Sequence, residues 1–314
     1  MTPIIDWHCD TILKIHNEGT DSNLKNNPFH IDIDKMKQGG IAAQFFAVFV
    51  KLEQNPDPFS KFIQITDRFF AELDDNRDTI GFARSFEDLE ENTRQDLISA
   101  FLTIEEGEVI AGDPDKLEQA YARGVRLITL TWNYENSIGY PNFHWEYQSK
   151  GLKPAGCELV ERMNDLGIVI DVSHLSDGGF EDVAALSKQP FVASHSNARA
   201  ESNHYRNLTD SMIRKLADAG GIMGLNFCPA FLNGTEAATL QDMVRHLAHI
   251  KNIGGTEVAA FGSDFDGIQG DLGVKTAADY PELISAMRQA GFTGHEIDLV
   301  SSENARRVIR EVLT

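Results

Sequence analysis

The stretch Ile4-Ile5-Asp6-Trp7-His8-Cys9-Asp10-Thr11 joins a short apolar run to a polar end of the form His-x-Asp. On an extended strand, residues two apart point to the same side. His8 and Asp10 are therefore expected to aim an imidazole and a carboxylate at one point. Such a pair is half of a metal site; alone, it is equally the polar end of an ordinary first strand. The rest of the chain decides between the two.

Seven further apolar runs follow, so that with residues 4–8 the candidate strands are 41–50, 100–104, 125–131, 168–173, 190–194, 221–227 and 258–263. Several are near-continuous in Val, Ile, Leu and Phe, as expected of parallel strands covered on both faces. Eight such strands close a barrel. Between them lie segments of helical spacing. Leu240, Met243, Val244, Leu247 and Ile250 form one stripe, and Leu208, Met212, Ile213 and Leu216 another. Thr209 or Asp210 is placed to cap the second helix, and Gly220-Gly221 to end it. No GxGxxG or GxxxxGK[ST] follows an early strand, which weakens a nucleotide-binding sheet.

The expected fold is therefore α/β, a (β/α)8 TIM barrel forming one catalytic domain over 1–314. Residues 53–93 read as an elaborated connection after strand 2, with a helix at 59–73, and a last helix at about 296–313 closes the fold. A length of 314 residues suits a barrel of about 250 residues plus insertions.

Composition narrows the partners. With 42% hydrophobic and 24% charged residues the chain is that of an ordinary globular protein with a substantial core. Its 28 basic and 48 acidic residues leave a net charge of −20, which repels phosphate backbones and anionic lipid, so no nucleic acid and no membrane partner is expected. Cys9, Cys157 and Cys228 are far apart, with no CxxC pair, so neither a disulfide framework nor a thiolate zinc site is expected. No apolar stretch long enough to span a bilayer and no signal-like N-terminus is seen, and a cytoplasmic location is the expectation.

Functional residues of a barrel sit at the C-terminal ends of its strands. Those ends carry His8 and Asp10 after the first strand, Glu105 after the third, His174 after the fifth, His195 after the sixth and Asp264 after the eighth. Each has an ordinary alternative, such as a hydrogen-bonded core histidine or a helix-terminal carboxylate; their recurrence at successive strand ends does not. With Asp264 set apart, three imidazoles and two carboxylates still exceed the three protein ligands of a typical catalytic zinc. Two zinc ions, with other divalent metals as alternatives, account for the surplus. Glu105 is then the bridge, with His8 and Asp10 on one ion and His174 and His195 on the other.

Five motifs in this order resemble those of the membrane (renal) dipeptidases, peptidase family M19, which are binuclear zinc enzymes of the metallo-dependent hydrolase (amidohydrolase-like) barrel class. They are residues 6–11 (DWHCDT), 103–107 (TIEEG), 171–176 (DVSHLS), 194–197 (SHSN) and 262–267 (GSDFDG). The resemblance implies hydrolysis of short peptides, those with a D-residue at the C-terminal position included, by a hydroxide held between the zinc ions. It implies the same ligand division, with Asp264 as the proton carrier beside Glu105, and it matches Arg206 to the arginine that holds the substrate's terminal carboxylate. Without that match Arg206 reads as a surface residue. Related two-metal enzymes often use His-x-His and a carboxylated lysine; here strand one offers His-x-Asp and 125–131 contains no lysine.

The chain departs from the family where a histidine commonly follows the fourth strand, to contact the substrate carbonyl. Here the sequence reads Thr129-Leu130-Thr131-Trp132-Asn133. An indole donates but cannot accept, so Trp132 and Asn133 enter as substrate-binding candidates, with Tyr134 and His144 as other donors. Glu106 replaces a usual glycine. The departure keeps two alternatives open: a binuclear hydrolase of another amide, a lactone or a β-lactam, and a non-catalytic small-ligand binder. His16, His30 and His204 read as loop or rim residues; His246 and His249 lie on a helix whose apolar stripe is elsewhere; Phe45, Phe46 and Phe49 read as packing. By analogy with other acidic barrel enzymes, a homo-oligomer is entertained.

Overall fold

The computed structural model describes residues 2–19 and 22–314. Nine parallel strands run through it: β1 Ile4–Cys9, β2 Ile41–Phe49, β3 Ile80–Phe82, β4 Ile98–Glu105, β5 Val125–Thr129, β6 Val169–Asp171, β7 Val192–Ala193, β8 Ile222–Leu225 and β9 Ala259–Phe261. The order β2-β1-β9-β8-β7-β6-β5-β4 is closed by pairing of β2 with β4, giving the expected eight-stranded barrel. The ninth strand comes from the elaborated connection. β3 pairs Ile80 to Phe82 with Ile98 to Ala100, at the foot of β4, below the point where β5 joins at Leu102. Three residues are too few to show a strand pattern in sequence. The same connection contains the expected helix as Pro58–Asp75, and a second, Phe86–Arg94, started by Ser85 Oγ accepting from Asp88 N.

The interior is filled from below. Ile5, Phe45, Phe101, Leu127, Val169, Val192, Ile222 and Ala260, one from each barrel strand, belong to a single buried cluster with Trp7. The Phe45 ring stacks on Trp7 at 4.2 Å and on Phe101 at 4.5 Å. Val308, Ile309 and Val312 of the last helix, Asn304–Val312, plug the N-terminal mouth. That closing segment is three pieces: Gly294–Asp298, one π-helical stretch Leu299–Glu303, and Asn304–Val312. The floor is packed, and a cavity opens at the C-terminal ends, where the polar strand ends lie.

The helix Leu240–Gly254 forms as its spacing predicts, with Met243, Val244, Leu247 and Ile250 buried and a Thr239/Asp242 capping box. His246 departs from the expectation: it is fully buried, its Nδ1 accepting from Ala198 N at 3.1 Å and its Nε2 meeting Leu232 O at 2.8 Å.

Candidate metal centre

The first strand does not place His8 and Asp10 by simple alternation. The pairing of β1 with β2 shifts register between Asp6 and Cys9, and Asp10 lies beyond the strand, immediately before the helix Thr11–Glu18. The outcome is nevertheless convergence, with His8 Nε2 3.5 Å from Asp10 Oδ2. Asp6 fixes this turn of chain. Its carboxylate accepts from Ser263 N at 2.8 Å and Ser263 Oγ at 2.6 Å, which ties β1 to the segment after β9.

Glu105, the last residue of β4, lies between two groups. Its Oε2 is 3.4 Å from His8 Nε2, and its Oε1 is 3.2 Å from His174 Nε2 and 3.7 Å from His195 Nε2. Asp264 Oδ1 is 3.9 Å from His8 Nε2, while Asn226 Nδ2 donates to its Oδ2 at 2.8 Å. All six side chains belong to buried residues. His174, Asp264 and Glu106 adopt left-handed backbone, at φ 69°, 61° and 78°, which costs non-glycine residues energy and concentrates where function dictates the geometry. Gly267 is required for space: a Cβ there would collide with Asp10 Oδ2 and Asp264 Oδ1.

The donor set fits a cation. His195 Nδ1 lies 2.7 Å from Ser194 Oγ, whose hydroxyl donates to Asp171 Oδ2 at 2.6 Å, so the imidazole must donate from Nδ1. His174 Nδ1 lies 2.9 Å from Asn133 Oδ1, an acceptor. Both rings then present bare Nε2 lone pairs, 3.1 Å apart, beside a carboxylate. Both nitrogens of His8 and Asp10 Oδ1 are buried without a hydrogen-bond partner among the described residues. Facing lone pairs and orphaned acceptors repel one another unless something positive lies among them.

The electrostatics follow from burial and crowding. Burial, with the Arg206 charge, depresses His174 to about 4, and burial with the nearby His8 holds His195 well below its ordinary range. Burial also depresses His8, but Glu105 and Asp10 overcome it and raise that imidazole. Burial raises Asp264 to about 7 and, together with Glu105, raises Asp10 to about 6. For Glu105 the burial effect is outweighed by His8 and His174, which hold the carboxyl below its usual range.

Arg206 is 2% exposed and not a surface residue. Its Nη2 donates to His195 O at 3.2 Å, its guanidinium lies 5.3 Å from the Phe231 ring centre, and its Nε and Nη1 have no partner among the described residues. Trp132 packs against Phe49 at 4.8 Å, with its ring 6.3 Å from that of His174, and both Trp132 and Phe49 line the cavity over the site. Phe49 is thus a wall of the mouth as well as packing. Tyr134 Oη accepts from Leu52 N, and His144 is exposed, so of the donors considered beside Trp132 it is Asn133 that lies against a cluster imidazole. Glu106 is buried and points away from the cluster, accepting from Trp132 N at 3.0 Å and Asn136 Nδ2 at 2.5 Å. Sequence reasoning missed three positioning residues: Asp6, Asp171 and Ser194. Their only signal was proximity to the ligand motifs.

The profile of the membrane dipeptidases, peptidase family M19, matches residues 1–314. An uncharacterized dipeptidase of Schizosaccharomyces pombe is 29% identical over 98% of this chain and 80% of its own length. Among solved structures, a dipeptidase described as a metallopeptidase of family M19 superposes with a TM-score of 0.92 at 27% identity, covering 100% of this chain and 99% of its own. A metallopeptidase from Rhodobacter sphaeroides, liganded with a phosphinate mimic of L-Ala-D-Ala, gives 0.91 at 26% identity over 99% of both chains.

Proposed function

From the premise that this chain belongs to the membrane dipeptidase family, peptidase family M19, and is a metal-dependent dipeptidase, we propose how its residues divide the work. Two zinc ions would be held by His8 and Asp10 and by His174 and His195, with Glu105 serving both pairs. The observation that carries this is the face-to-face pair of Nε2 lone pairs beside Glu105, with His8 Nε2 3.4 Å from its other oxygen and without a hydrogen-bond partner among the described residues. When bound, such ions supply Lewis acidity and ionise water near neutral pH.

Asp264 holds and passes the proton. Asn226 occupies its Oδ2, leaving Oδ1 toward the cluster, and a carboxyl raised to about 7 exchanges a proton readily at neutral pH. Arg206 receives the free carboxylate of the dipeptide on its unpartnered Nε and Nη1, a charge-assisted pairing in a buried site that favours chain ends over proteins. Because Asn133 Oδ1 accepts from His174, its Nδ2 is left as a donor at the cavity wall, in reach of a substrate carbonyl oxygen. Trp132 supplies an apolar face beside it. Residues 1–314 act as one catalytic domain. Three free cysteines and the absence, among the described residues, of a helix long and apolar enough to cross a membrane are compatible with a cytoplasmic site of action.

The test is metal-quantified protein assayed on dipeptides with L- or D-residues at the C-terminal position. Two zinc per chain with turnover is expected. Arg206→Ala should chiefly raise KM, and Asp264→Asn should chiefly lower kcat. Zinc without dipeptide turnover would favour a lactone, β-lactam or other amide instead, and no bound metal a non-catalytic binder.

A further inference from the structure

The cavity over the metal centre encloses about 480 Å³, and its walls are unequal. Arg206, buried beside His195 after β7, lies outside its lining. On the β1 side the helix Thr11–Glu18 presents Lys14 and Asn17, one turn apart on one face, and the loop after β9 contributes Gln269 to the same lining. Lys14 is the only lysine or arginine among the described residues lining the cavity, where Asp10, Glu105, Asp264 and Asp266 all carry acid groups.

Lys14 is not consumed by its neighbour. Its Nζ is 3.6 Å from Asp266 Oδ1, beyond hydrogen-bond distance, and its side chain is 41% exposed. Asp266 is already satisfied, accepting from Thr11 Oγ1 at 2.5 Å and His30 N at 2.9 Å. A cation held near a satisfied carboxylate, with exposed amides of Asn17 and Gln269 at the same rim, is a donor set without an acceptor.

We propose that Lys14, with Asn17 and Gln269, forms a side-chain subsite that selects dipeptides with an acidic N-terminal residue. The inference rests on the dipeptidase reading for its orientation. With the free carboxylate at Arg206, beyond His195, the substrate spans the ligand cluster, and its N-terminal residue extends toward Asp10 and Lys14. The ammonium of that residue finds the carboxylate of Asp264. A Glu or Asp side chain continues to the Lys14 ammonium and the two amides, whereas a Lys or Arg side chain meets like charge.

The experiment compares kcat/KM for Glu-Ala, Ala-Ala and Lys-Ala in zinc-loaded wild type, Lys14→Met and Lys14→Glu. Wild type should prefer Glu-Ala over Lys-Ala by tenfold or more, with the ratio shrinking as salt rises. Lys14→Met should bring the ratio near one, and Lys14→Glu should invert it. Binding of phosphinate mimics of Glu-Ala and Lys-Ala, read by calorimetry, separates the two claims. Charge discrimination that depends on Lys14, without turnover of any dipeptide, upholds the subsite and removes the dipeptidase reading. Turnover with a wild-type ratio near one, or a ratio unmoved in Lys14→Glu, overturns the subsite and leaves the dipeptidase reading standing.

Discussion

Ser194 links a buried carboxylate to a candidate ligand, donating to Asp171 Oδ2 while His195 Nδ1 donates to it in turn. Asp171 also accepts from Thr129 Oγ1 at 2.6 Å and from the Ser173 and Ser194 amides, so three strand ends share one anion. This relay fixes the tautomer that leaves Nε2 free for a metal. Ser194→Ala should therefore lower zinc affinity about 10–100-fold, measured by competition with a chelator, with the far-ultraviolet spectrum unchanged and Ser194→Thr restoring much of it. An affinity equal to wild type in Ser194→Ala would show that the ring needs no such lock. His195 was readable from its motif, but the relay was not, because which hydroxyl meets which ring nitrogen depends on rotamers and on strands far apart in sequence.

At the scale of elements, His246 shows how a helix face can mislead. Its helix reads as amphipathic with the histidines off the apolar stripe, yet His246 is buried and joins two loops, through Ala198 N after β7 and Leu232 O after β8. Burial, aided by Arg245, depresses it to about 4, so it stays neutral in the folded protein. Between an unfolded value of about 6.5 and that folded value, only the unfolded chain takes up a proton, so stability is full above about pH 6.5 and is lost as pH falls toward 4. At most about 3 kcal/mol is involved. Metal-free wild type should lose more stability between pH 7 and pH 4.5 than His246→Gln, measured by denaturant unfolding at both pH values; parallel losses would deny His246 this part. β3 went unread for a different reason: its three residues form a strand only because β4 offers a free edge below β5.

For the whole molecule, the packed floor and the acid-rich mouth make opposite demands. The lower barrel is stabilised by burial of apolar side chains from every barrel strand, whereas the upper end gathers buried carboxylates and imidazoles that destabilise the fold until a cation joins them. Removing metal should accordingly lower the unfolding temperature, by a shift that grows with free zinc concentration and is worth about 4 kcal/mol at a thousand times the dissociation constant. Because His8 is raised and Asp10 stands near 6, a zinc ion bound by them would displace protons. Its apparent affinity should rise with pH, and its binding heat should depend on the ionisation enthalpy of the buffer. A stability indifferent to chelation would contradict a resident metal. The sequence by itself determined the barrel and the strand ends whose acidic and imidazole side chains converge, because apolar runs and turn residues act over a few positions and recur in order along the chain. Only the tertiary structure decided that Arg206 is buried with free donors, that Asn133 lies against His174, and that Lys14 faces the cavity. Those facts depend on the paths of loops whose ends are fixed by strands but whose courses are set by contacts between distant residues.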